Sequence, residues 1–67
     1  MLHIIAPKKV FKRAVDRNKA KRRVRAALNQ LKPDWRAALA GKLYTTREML
    51  DLPFPELQAK IKHALSL

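Results

Sequence analysis

KKVFKRAVDRNKAKRRVR, Lys8 to Arg25, decides how this chain is read: 10 of its 18 residues are Lys or Arg, and only Asp16 opposes them. Neither Gly nor Pro occurs between Lys8 and Lys32, and Ala14, Ala20, Val24, Ala27, Leu28 and Leu31 recur at helical spacing, which is the signature of a half-buried α-helix. The pattern predicts a helix beginning near Phe11 and running to Leu31.

At about 100° per residue, Ala20, Val24, Ala27, Leu28 and Leu31 gather on one side, and Arg13 and Arg17 extend that side toward the N-terminus. Lys12, Asn18, Lys19, Lys21, Arg22, Arg23 and Arg25 spread around the remaining arc, with Arg23 and Lys12 turned away from the packing side. The first turns are therefore basic nearly all round, and only the later turns have a dry face. A run of charge is often just a solvated face. Here the cations crowd together and repel one another, which a polyanion would relieve, so the basic half predicts a nucleic-acid partner.

The 67 residues allow a single domain, 1–67, and a chain this short has little interior. With no Cys, disulfides are excluded, which suits a reducing, cytoplasmic location. No N-terminal run resembles a signal peptide, and no apolar run approaches the ~20 residues of a membrane span. Sixteen Lys plus Arg against five Asp plus Glu give a net charge of +11, and residues 8–36 hold twelve of the sixteen.

Before the basic stretch, Met1–Ala6 is apolar and closed by Pro7, and it reads as a strand. His3 has no second His, Cys or carboxylate at ligand spacing, so it is a strand-face histidine rather than a metal ligand. After Leu31, Pro33 disfavours helix at Lys32, and Asp34 can cap a short turn, WRAALA, that Gly41 ends. Trp35, beside Leu39 and Ala38, is expected in the core rather than stacked on a base. Lys42–Arg47, KLYTTR, reads as a second strand, with Arg47 at its end as an extra phosphate contact. Glu48–Pro53 is expected to turn into a last helix whose Phe54, Leu57, Ile61, Ala64 and Leu65 face the core, opposite Glu56, Lys60 and His63.

The order is strand, basic helix, short turn, strand, helix: an α+β, two-layer strand-helix-strand-helix unit. Its crossover would ordinarily be right-handed. Asp16, Asp34, Glu48, Asp51 and Glu56 are scattered over separate elements with no nucleophile beside a base. No catalytic residue and no metal ligand is therefore assigned.

KKVFKRAVDRNKAKRRVRAAL resembles the signature helix of the bacterial ribonuclease P protein component. That family reads Lys-Lys, two variable positions, Arg/Lys-Arg-Ala, then Arg-Asn-Arg-x-x-Lys-Arg or close variants. The match falls on Lys8, Lys9, Lys12, Arg13, Ala14, Arg17, Asn18, Lys21 or Arg22, and Arg25. Lys19 stands where the family usually has Arg, which keeps the charge but loses the bidentate fork. LYTTREMLDLPFPELQAKIKHAL, from Leu43, looks like the family's closing strand, Asp-Leu turn and helix. The family's usual N-terminal helix and first strands have no counterpart before Met1.

The resemblance implies that the basic helix sits in a left-handed βαβ crossover, a minimal ribosomal protein S5 domain 2-like fold. It also implies an accessory RNA-binding subunit of ribonuclease P, whose catalytic RNA holds the magnesium ions and removes the 5′ leader of precursor tRNA. The partners would be the large catalytic RNA and precursor tRNA, with no membrane and no DNA, and the protein would hold no cofactor of its own. The RNA-binding residues would be Lys8, Lys9, Lys12, Arg13, Arg17, Asn18, Lys19, Lys21, Arg22 and Arg25. The alternative is a minimal ribosomal or RNA-chaperone protein, which a basic α+β unit of this size would also suit. A membrane-active helix is disfavoured by the broad polar arc, and a DNA reader by the lack of a recognition turn.

Overall fold

Two strands, β1 (Leu2–Ile5) and β2 (Gly41–Tyr44), pair in parallel in the computed structural model, which describes residues 1–67; Leu2 lies opposite Gly41 and Ile5 opposite Tyr44. The crossover between them holds α1 (Ala14–Leu31) and α2 (Trp35–Ala38). A 3₁₀ turn (Arg47–Leu50) then leads into α3 (Phe54–Leu65). The chain is thus a small α+β unit with a two-stranded sheet.

The basic helix begins at Ala14, not near Phe11 as its sequence suggested. The Pro7 carbonyl accepts the Val10 and Phe11 amides at 3.1 and 2.9 Å, closing a turn that swings Phe11 into a fully buried position with Ala20 and Leu50. Lys8, Lys9, Lys12 and Arg13 consequently precede the helix, and Arg13 has extended backbone angles. Further on the periodicity holds: Ala20, Val24, Ala27 and Leu28 are buried, and Leu31 packs half-buried against the same core.

That core joins α1 to Leu2, Trp35, Leu43, Met49, Leu57 and Ile61, each large apolar side chain contributing about 1.5–3 kcal/mol on burial. Trp35 is inside, as expected, and its indole Nε1–H donates to Asn29 Oδ1 at 2.8 Å. Asp34 makes no side-chain cap for α2 and instead lies 3.7 Å from the Lys32 ammonium. Of the expected stripe on α3, Leu57 and Ile61 are buried, and Phe54 and Leu65 pack at the core's rim. Ala64, expected on the same stripe, is exposed.

The second strand is displaced from the expected Lys42–Arg47. Gly41 opens it with φ at +102°, a conformation that glycine adopts without the Cβ clash other residues suffer. Thr45 ends it: its amide and its hydroxyl both donate to the Ile5 carbonyl, at 2.8 and 3.0 Å, and the side chain is buried. Beyond it, Met49 and Leu50 of the 3₁₀ turn enter the two core clusters, in a segment whose sequence suggested only a connection.

Candidate nucleic-acid interface

Lys8 and Lys9 lie on the turn after Pro7, and Lys12 and Arg13 lead from it into α1; all four side chains are exposed. On α1, Asn18, Lys19, Arg22 and Arg25 are exposed, while Arg17 and Lys21 are half-buried on the flank of the packing stripe. Arg17, Lys21 and Arg25, each four residues from the next, form one row along that flank, and Asn18 and Arg22 form the neighbouring row.

None of these cations is neutralised by the protein. The two ion pairs within 4.0 Å are Lys32 with Asp34 and Lys60 with Glu48, and neither includes a residue of the basic turn or its helical rows. Asp16, the one acidic residue in the first turn of α1, has no ion-pair partner either.

Apart from Asp16, charge is also distributed against the helix. A helix favours anions at its N-terminus and cations at its C-terminus, yet α1 has Lys12 and Arg13 at its start, no side-chain cap, and no basic residue in its last turn. Unsatisfied amides, the positive end of the dipole and a group of cations therefore coincide, an arrangement that an external anion would stabilise.

Around this helix start opens a cleft of about 530 Å³ lined by Lys9, Lys12, Arg13, Asp16 and Arg47 with Val10. Arg47 belongs to the 3₁₀ turn rather than to a strand end, and its Nη1 donates to the Val10 carbonyl at 3.2 Å. This contact brings Arg47, which the sequence offered as an extra phosphate contact, to the cleft of Lys9, Lys12 and Arg13. Arg17 Nη1 donates to the Phe11 carbonyl at 3.0 Å, so this side chain also holds the turn that carries the preceding cations.

Arg23 has a different role from its neighbours. Its guanidinium donates to the Met49 carbonyl and to the Leu52 carbonyl, tying α1 to the 3₁₀ turn and the loop before α3. The outward surface cation suggested by helical periodicity is a crosslink within the fold. The structure thus gathers Lys9, Lys12 and Arg13 around one cleft, aligns Arg17, Lys21 and Arg25 in a row, and sets Lys19 on the opposite flank from that row.

The carboxylates do not form a metal set: no three of the His, Asp and Glu side chains come together. No helix is long and apolar enough to cross a membrane. A family model described as Ribonuclease P matches residues 2–66. No solved structure matches the chain.

Proposed function

The chain belongs to the ribonuclease P protein family, and on that premise we propose that the basic turn and the helical rows following it form the surface that grips the large catalytic RNA. The protein is the RNA-binding subunit of a ribonucleoprotein that processes precursor tRNA; the ribosomal and chaperone alternatives are not favoured. The observation that carries the assignment to this surface is its uncompensated charge. Lys8, Lys9, Lys12, Arg13, Arg17, Lys19, Lys21, Arg22 and Arg25 have no carboxylate partner within 4.0 Å.

On binding, these side chains displace counterions condensed on the RNA. Arg17, Arg22 and Arg25 add forked, charge-assisted hydrogen bonds to phosphates, and Asn18 between them donates to or accepts from a base edge or ribose. Arg47 joins Lys9, Lys12 and Arg13 in clamping one turn of backbone at the helix start. Selectivity comes mainly from the shape of the RNA.

Chemistry is left to the RNA subunit, which supplies the magnesium ions; the protein's scattered carboxylates support this division of labour. Parallel β1 and β2 joined through α1 form a βαβ unit, whose left-handed crossover is carried over from the family alone, and the lack of Cys suits a cytoplasmic site of action. The test is a cleavage assay on precursor tRNA. Protein alone should leave the substrate intact, whereas the RNA subunit with magnesium should cleave faster at low salt once protein is added. EDTA-sensitive cleavage by RNA-free protein would overturn this assignment of roles.

A further inference from the structure

A second cleft, of about 270 Å³, lies away from the helix start, between the beginning of β1, the middle of α1 and α2. Leu2 and Ile4 give it apolar walls, His3, Arg25 and Arg36 give it donors, and no carboxylate lines it. The Arg36 guanidinium sits over the Trp35 ring with its central carbon 5.2 Å from the ring centroid. Trp35 is itself fixed by burial and by its hydrogen bond to Asn29. Arg36 is therefore a planar cation held against an immobile indole by a cation–π contact.

We propose that this cleft is a subsite for one unpaired nucleotide of RNA, with its base stacked on the Arg36 plane and its phosphate held by Arg25. The inference rests on the RNA-binding function above and adds to it a place that accepts a base rather than a backbone. Three features carry it. Guanidinium planes are stacking surfaces for splayed-out bases, and one backed by a fixed ring loses little freedom on binding. At about 270 Å³, slightly below the roughly 300 Å³ at which drug-sized pockets begin, the cleft has room for a single flat ring beside the Arg36 plane. Arg25, finally, ends the row that begins at Arg17 and Lys21, so a strand following that row arrives at the cleft.

Trp35 is the only tryptophan, which makes its emission a local reporter. The test measures binding of a short oligouridine and of a fully paired RNA duplex of equal length, by anisotropy of the labelled RNA and by Trp35 emission together. Oligouridine should change the emission, and the duplex should bind by charge without changing it. Arg36→Ala and Arg36→Lys should both weaken oligouridine binding by roughly tenfold, because lysine keeps the charge and loses the plane. Lys62→Ala, which removes an exposed charge from α3, should weaken it much less. Circular dichroism checks that each variant is folded.

Arg36→Lys binding like the parent, or Arg36→Ala losing no more than Lys62→Ala, would overturn the proposal, as would equal emission changes with both RNAs. Binding of neither RNA would instead refute the RNA-binding function on which it rests. In the assembled enzyme, weaker affinity of Arg36→Ala for the large RNA places the nucleotide there. Normal assembly with weaker precursor binding places it on the substrate, and no loss of either overturns the subsite.

Discussion

Arg17, Arg22 and Arg23 carry the same charge on the same helix, yet their surroundings give them different work. Arg23 satisfies two backbone carbonyls, those of Met49 and Leu52; Arg17 gives one arm to Phe11; Arg22 is exposed with no protein acceptor. Arg23→Ala should therefore cost about 1.5–3 kcal/mol of folding stability, the range for hydrogen bonds to charged groups, read as a lower urea midpoint. Its RNA affinity, measured on the folded fraction, should fall only through one fewer charge, lowering the salt slope by up to about one unit. Arg17→Ala should lose a directed RNA contact worth ~1.5–3 kcal/mol as well, and Asn18→Ala, which changes no charge, should also weaken binding. Equal affinity losses at Arg17 and Arg23 with no effect at Asn18 would mean that the helix acts as a diffuse cloud of charge.

As an element, α1 is stabilised by its packing stripe and opposed by its own charge. Ala20, Val24, Ala27 and Leu28 are each fully buried, while the residue at the cap position is the exposed and uncapping Arg13. Arg13→Asp would supply a side-chain acceptor for the first-turn amides and a charge that suits the dipole, together worth about 0.5–2 kcal/mol. Stability should rise, as seen in a higher thermal midpoint, and affinity for the catalytic RNA should fall. Affinity that stays level would remove Arg13 from the interface, whatever happened to the midpoint. Opposite signs would show that binding, not folding, keeps arginine at this place.

For the whole molecule, 13 of 67 residues are buried beneath a net charge of +11, so a thin core works against long-range repulsion. Screening should then stabilise the free protein: its melting midpoint should rise with added sodium chloride and more with sulfate. RNA binding should weaken over the same salt range as counterion release loses its driving force. Partner RNA at about a hundred times its Kd should add ~2.7 kcal/mol to stability, with a gain in helical ellipticity where the free chain is incompletely folded. A cooperative melt with full ellipticity that neither salt nor RNA shifts would contradict all three expectations.

Periodicity in the sequence determined the packing face of α1, the interior place of Trp35 beside its Leu-Ala stripe, and an α+β unit built on two strands. These follow from the order of residues along a helix or strand, where each side chain's direction is set by neighbours three or four places away. The concentration of cations from Lys8 to Arg25 determined the chemistry of the partner, because charge of one sign seeks the other whatever the fold. Tertiary structure decided where the helix starts, since Phe11 leaves the helical path to pack with Ala20 and Leu50. It also ended β2 at Tyr44 through Thr45's two bonds to Ile5, and brought Met49 into the core. It sorted the arginines too: Arg23 was bound to carbonyls of a distant turn, Arg47 was carried to the cleft of Lys9, Lys12 and Arg13, and Arg36 with Trp35 to one shared with β1 and Arg25. A guanidinium donates as readily to a peptide carbonyl as to a phosphate, so its role depends on which acceptor the folded chain places within reach.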